Sequence, residues 1–203
     1  MLTQHSIYLH TAIIDLFRPF LQGEMRFHSM GTFSSNFSNP EAVFLASVDQ
    51  LKRLLSTYMT KFTSAGHCYL WHSALLYVAN GMLRKRTLGV DPDWRSWFDL
   101  CLSGYRNLSG CFNVSESISK GLLSMAMRNG VETAADAIDT MALIKTLSYQ
   151  LGDESLTMVV DLDLAARDPL AAQIGILTRQ FDERVVLGSS SPDKEDGESN
   201  KDE

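Results

Sequence analysis

Apolar residues recur at helical spacing through most of the chain, and turn-forming residues interrupt them at intervals. In residues 7–21, IYLHTAIIDLFRPFL, the positions Leu9, Ile13, Phe17 and Phe20 repeat at helical intervals, and Ile14 and Leu21 widen the stripe. This predicts an amphipathic helix whose apolar face needs cover from the rest of the chain. Pro19 lacks a backbone donor and biases Arg18 away from helical geometry, so the helix should end or kink there. The following GEMRFHSMGTFSSNFS holds no sustained period and reads as a long loop, with Phe27, Phe33 and Phe37 available to pin it to the core.

Asn39 as N-cap, Pro40 at the first position and Glu41 in the first turn open a strong second helix with the stripe Val43, Phe44, Val48, Leu51, Leu55, Met59 and Phe62. The third, bearing Leu70, Trp71, Ala74, Leu75, Val78 and Met82, is apolar nearly all round, which predicts a central place. Asp91-Pro92 repeats the cap-and-proline start and opens a fourth with Trp94, Trp97, Phe98, Cys101, Leu102, Tyr105 and Leu108. Asn113 with Glu116 resembles a capping box for a fifth, carrying Ile118, Leu122, Met125 and Ala126 and stopping at Asn129-Gly130. Ala134, Ala137, Ile138, Met141 and Ile144 mark a sixth. LTMVVDLDLA, residues 156–165, alternates and reads as a strand or an extended docking segment, and Asp168-Pro169 opens a short helix through Ile174, Leu177 and Phe181. The expected fold is therefore all-α: an irregular bundle of about six to seven helices, roughly 5–21, 40–63, 67–84, 92–110, 114–129, 131–148 and 169–183, in a domain of residues 1–187.

Charge changes the picture at one end. The net charge is −6, of which residues 193–203 carry −4, so residues 188–203 read as a disordered acidic tail and the folded part is close to neutral. A near-neutral domain argues against an extensive nucleic-acid surface. Cys68, Cys101 and Cys111 are an odd number without paired spacing, which favours buried thiols in a reducing compartment over disulfides or structural zinc. Sequons at Asn36, Asn107 and Asn113 follow no secretory leader and read as chance. No apolar run approaches the length of a membrane span, so no membrane contact is expected and the chain reads as soluble and intracellular.

Candidate chemistry is sparse. Cys68 and His72 share a helix face, yet no further metal ligand is evident near them. Gly-x-Ser-x-Gly and phosphate-cradling glycine loops are absent, and Asp161 and Asp163 read as a solvated pair on the outward face of the alternating segment. Trp71, Trp94 and Trp97 with Tyr69 and Tyr105 could line an effector pocket, though such aromatics more often fill cores. Arg84, Lys85 and Arg86 form a short basic patch or part of an import signal, alternatively a solvated helix end. Ser191, before Pro192, is a phosphorylation candidate in the tail.

His10, Ile13, Ile14, Leu16, Arg18, Pro19 and Phe20 resemble a segment of the regulatory domain of fungal-specific zinc-cluster transcription factors, in which a helix ends in a similar Arg-Pro-Phe. PEAVFLASVDQLKRLL, LWHSALLYVANGMLR, DPDWRSWFDLCLSGYRNL, ISKGLLSMAMRNG and VDLDLAARDP, in that order, resemble the C-terminal half of such regulators of the nitrogen-assimilation type. His10, Leu16, Arg18, Pro19 and Phe20 are then structural motif residues, with Arg18 needing an acid partner. The six-cysteine zinc cluster and the dimerising coiled coil of that family are missing from these residues, so the chain resembles a fragment or a truncated gene product.

The resemblance implies a nuclear, non-enzymatic regulatory or effector part of a fungal transcription factor. It would control transcription through protein partners or a small-molecule effector, and touch DNA only through the absent zinc cluster. No cofactor is expected in the chain itself, zinc belonging to that cluster. The alternatives are a generic intracellular helical protein-interaction adaptor, or a degenerate remnant; a small helical enzyme would need a cofactor to supply the chemistry. If half the domain is missing, the first helix and the third should leave apolar surface uncovered.

Overall fold

The structure is a computed structural model that describes residues 2–22, 30, 39–61, 70–110, 112, 114–145 and 157–189. Among these residues it is all-α, as the periodicity predicts. The elements are α1 (Leu2–Phe17), a 3-10 turn (Arg18–Leu21), α2 (Pro40–Lys61), α3 (Leu70–Leu88), α4 (Trp94–Leu108), α5 (Ser115–Arg128), α6 (Ala134–Lys145), the one-turn α7 (Leu162–Ala165) and α8 (Ile174–Ser189). The loop expected after the first helix and the acidic tail with Ser191 lie almost wholly or wholly outside the described residues, as do Cys68, Tyr69, Cys111 and Asn113.

Helix α3 is central: it packs on α4, α2, α1, α5 and α7, while α1 lies mainly on α2 and α5 mainly on α8. Its residues Trp71, Ala74, Leu75, Val78, Ala79, Met82 and Leu83 are all buried, so the expectation that this helix is left uncovered fails. The α2 stripe holds with Phe44, Val48, Leu51 and Leu55 buried, and Asn39 Oδ1 accepts the Ala42 N–H at 2.8 Å as the cap chemistry requires. Helices α3 and α5 stop in the same way. Gly89 and Gly130 take φ of +69° and +67°, and each helix end closes with paired bonds, Val90 N–H to Lys85 O with Gly89 N–H to Arg86 O, and Val131 N–H to Ala126 O with Gly130 N–H to Met127 O.

Four expectations about buried faces and helix starts need correction. The buried face of α1 and its turn is Ile7, Thr11, Ile14, Arg18 and Leu21; Leu9 and Phe20, assigned to the stripe, are 58% and 40% exposed, because the helix is set by the side that meets α2 and α3. Ile138 in α6 also points outward, the buried face being Ala137, Met141 and Ile144. Asp91-Pro92 does not start α4: Asp91 accepts from the Asp93 N–H in a turn, and the helix begins at Trp94. Asp168-Pro169 likewise makes a turn, with Asp168 Oδ1 accepting the Ala171 N–H at 3.0 Å, and α8 begins five residues later.

Residues 156–165 form neither a strand nor a plain extended segment over their described part. Val159 makes one antiparallel bridge with Gln173, and the chain then coils into α7. Together, residues 157–173 make a strap across α3 and α5. Val160, fully buried, lies against Gly121 of α5, where an added Cβ would come within 3.2 Å of its Cγ1. A glycine is what lets the strap lie this close to the helix.

Candidate functional site

The strap is fixed by polar contacts that converge from α3, α5 and the 3-10 turn. Asn80 of α3, 3% exposed, clamps its backbone on both sides of Asp161: Nδ2 donates to Val160 O at 3.0 Å and Oδ1 accepts the Leu162 N–H at 3.0 Å. Nδ2 also donates to Leu76 O one turn back, so the carboxamide is locked in orientation. Asp161, 1% exposed, accepts the Leu164 N–H at 2.8 Å as the N-cap of α7 and is ion-paired to Arg128 at the end of α5.

Asp163, the second residue of α7, bridges two guanidinium groups. It pairs with Arg18 of the 3-10 turn and lies 3.6 Å from Arg84 Nη1. Arg84 also donates to both oxygens of Glu41, at 3.3 and 3.1 Å, and to Leu21 O at 3.3 Å. The two guanidinium carbons lie 5.4 and 5.6 Å from the centroid of the Phe44 ring, so one buried aromatic receives both cations. Arg18 lies 5.9 Å from the Tyr77 ring as well, and the Tyr77 hydroxyl donates to Asp15. Burial and the neighbouring Asp15 carboxylate both hold the Tyr77 phenol well above its ordinary pKa.

A cleft of about 470 Å³ opens beside this junction. Its polar walls include Arg84, Arg128, Arg167, Asp161 and Asp163, and its apolar floor includes Leu83, Leu88 and Met125. The volume falls in the range of small-molecule sites.

The sequence-derived residues distribute unevenly around this cleft. Arg18 is buried and has found its acid partner in Asp163, whereas Leu16, Pro19 and Phe20 point to solvent. His10 is half-buried; its Nδ1 is enclosed without a hydrogen-bond partner, and desolvation lowers its pKa. The basic triplet does not form one exposed patch: Arg84 faces the cleft, Lys85 is buried with its Nζ 2.5 Å from Asp49, and only Arg86 is exposed, over the Trp94 ring. Trp71 packs edge-on to Tyr58, Tyr105 is fully buried, and none of the described aromatics named for an effector pocket lines the cleft.

The reading of Asp161 and Asp163 as a solvated pair is overturned. Alternation implied a strand with both on the outer face, but α7 is a single turn, too short to register as a helical period. The signal that would have found it is local: an aspartate immediately before Leu162–Ala165 is a helix N-cap.

Among the described residues no group of three His, Cys, Asp or Glu side chains is placed to hold a metal ion. His72 instead meets Tyr105, whose hydroxyl lies 3.0 Å from His72 Nδ1 and 3.2 Å from His72 O. Burial pushes the imidazole pKa down from 6.5 to about 4. Between these values the unfolded chain binds more protons than the folded one, so stability is full above about pH 6.5 and is lost as pH falls toward 4. The expected loss is on the order of 3 kcal/mol. Urea unfolding of the wild type and of His72→Gln from neutral to acidic pH checks it, the variant being expected to show a flatter profile.

The exposed side of α1 carries Tyr8, Leu9 and Leu16, and the 3-10 turn adds Phe20. Among the described residues no helix is long and apolar enough to cross a membrane. Set against protein families, curated proteins and solved structures, the chain matches none.

Proposed function

We propose that the chain is the C-terminal part of the regulatory domain of a fungal zinc-cluster transcription factor. In this reading it is a helical scaffold without catalysis of its own, through which a ligand or protein partner restrains or licenses activation. The observation that carries it is the Arg18 to Asp163 pair, which joins residues 145 apart in sequence. It couples the Arg-Pro-Phe stop to VDLDLAARDP, the two segments at opposite ends of the resemblance, through a charged junction. A ligand or partner with different affinity for the docked and released strap would shift their populations. DNA contact and zinc then belong to a separate zinc-cluster module, and the site of action is the nucleus.

The test is a fusion of the full chain to a heterologous DNA-binding domain, read by a reporter gene in a fungal cell. Reporter output is expected to differ from that of the DNA-binding domain alone, and Asp163→Ala, which frees the strap from Arg18 and Arg84, is expected to shift it further. Output indistinguishable from the bare DNA-binding domain, for wild type and variant alike, overturns the proposal.

A second reading, a protein-interaction adaptor without a transcriptional role, is favoured by the apolar outer face of α1. The genomic reading frame separates the two. An in-frame Cys-x2-Cys-x6-Cys pattern upstream supports the regulator, and its absence supports the adaptor.

A further inference from the structure

The cleft beside the strap carries more guanidinium than its acids match. Three arginines, Arg84, Arg128 and Arg167, line it against two carboxylates, Asp161 and Asp163. Arg128 is paired with Asp161 and Arg84 with Glu41, while Asp163 is shared with Arg18 from outside the cleft. Arg167 is exposed, and among the described residues its guanidinium makes no ion pair. Behind Asp163 and outside the cleft lining, Arg18 is 7% exposed, with its Nε 3.8 Å from Asp15 Oδ1 and its Nη1 paired with Asp163. The unmatched charge that a molecule in the cleft can reach is therefore that of Arg167.

We propose that this cleft binds a small molecule bearing an oxyanion, a carboxylate or a phosphate group. Arg167 and the exposed edge of Arg128 form the anchor, and Leu83, Leu88 and Met125 receive the apolar body of the ligand. Guanidinium forks match the geometry of either oxyanion with two parallel charge-assisted bonds. Asn80 sits in the same wall but is fully engaged by the strap, so it shapes the cleft and does not select the ligand. An oxyanion here also competes with Asp163 for Arg84, which gives the ligand a means of loosening the strap. This site deepens the regulatory reading by naming the class of its effector, but it rests on the cleft and not on any role in transcription.

Titration of the full chain with inorganic phosphate and with succinate, followed by calorimetry and thermal unfolding against sodium chloride of matched ionic strength, tests it. Saturable binding of at least one anion is expected, together with a rise in Tm that chloride does not reproduce. Phosphate alone assigns a phosphate-bearing ligand, succinate alone a carboxylic acid. Arg167→Ala is expected to weaken binding by about tenfold or more, the value of one charge-assisted contact. Arg179→Ala, on the exposed face of α8 and paired with Glu183, is expected to leave it unchanged. Absence of saturable binding by both anions, or equal loss in both variants, overturns the site. If anions bind and the reporter fusion is silent, the site stands and the transcriptional reading falls.

Discussion

Phe44→Ala is expected to lower the unfolding free energy by about 4 kcal/mol, the usual cost of emptying a phenylalanine-sized volume in a packed core. The ring is 1% exposed at the second turn of α2, in the main buried cluster. Its loss does more than open a cavity, because the ring is also the surface on which the guanidinium groups of Arg18 and Arg84 rest. Water entering the vacated space would solvate both cations and weaken their hold on Asp163. Phe44→Leu keeps most of the apolar volume but removes the ring face, and is expected to cost about half as much. The measurement is chemical unfolding of the two variants. A leucine variant as damaged as the alanine one would show that the ring face, and not volume, dominates; a nearly neutral alanine variant would remove the junction from the stabilising core altogether.

Asn80→Leu is expected to cost on the order of 3 kcal/mol. Leucine matches the shape of the side chain but leaves Val160 O and the Leu162 N–H without their partners, and each buried unpaired group costs about 1–3 kcal/mol. The damage is expected to be local as well as global. Amide hydrogen exchange should rise over residues 160–165 well before the protection of α3 or α5 changes, since the strap can release while the helix bundle stays packed. Uniform loss of protection across all helices would instead make the strap part of the cooperative core.

The helices were legible because most of the long ones repeat their apolar residues with a clear period, α3 being apolar nearly all round, and because Asn39 and Gly130 mark ends by chemistry that acts within a few residues. Periodicity proved less able to say which apolar residues face inward. In α1 two overlapping stripes are present, and only contact with α2 and α3 selects the one through Ile7, Ile14 and Leu21. The arginine at position 18 was legible as a stop needing an acid, but its partner lies across nearly the whole chain, and nothing local points to Asp163. Asp161 was hidden for a different reason: a one-turn helix leaves no period, so its carboxylate looked like one polar half of an alternating segment. The cleft followed the same rule. Its walls come from the 3-10 turn, α3, the end of α5 and the strap, and no single stretch of sequence contains enough of them to suggest a site.

The strap's attachment to the 3-10 turn also bears on how the polypeptide divides. In a helical solenoid the chain can be trimmed from one end with graded effect, because each repeat contacts only its neighbours. Here the first helix ends in a buried cation whose counter-charge is delivered by residue 163, and the carboxylate at residue 163 is in turn held by cations at residues 18 and 84. Removing the segment after α6 leaves Arg18 only Asp15, 3.8 Å from its Nε, and removing the segment before α2 leaves Asp163 with half its partners. The chain is thus closed on itself like a clasped band, its first helix and its strap meeting at one carboxylate.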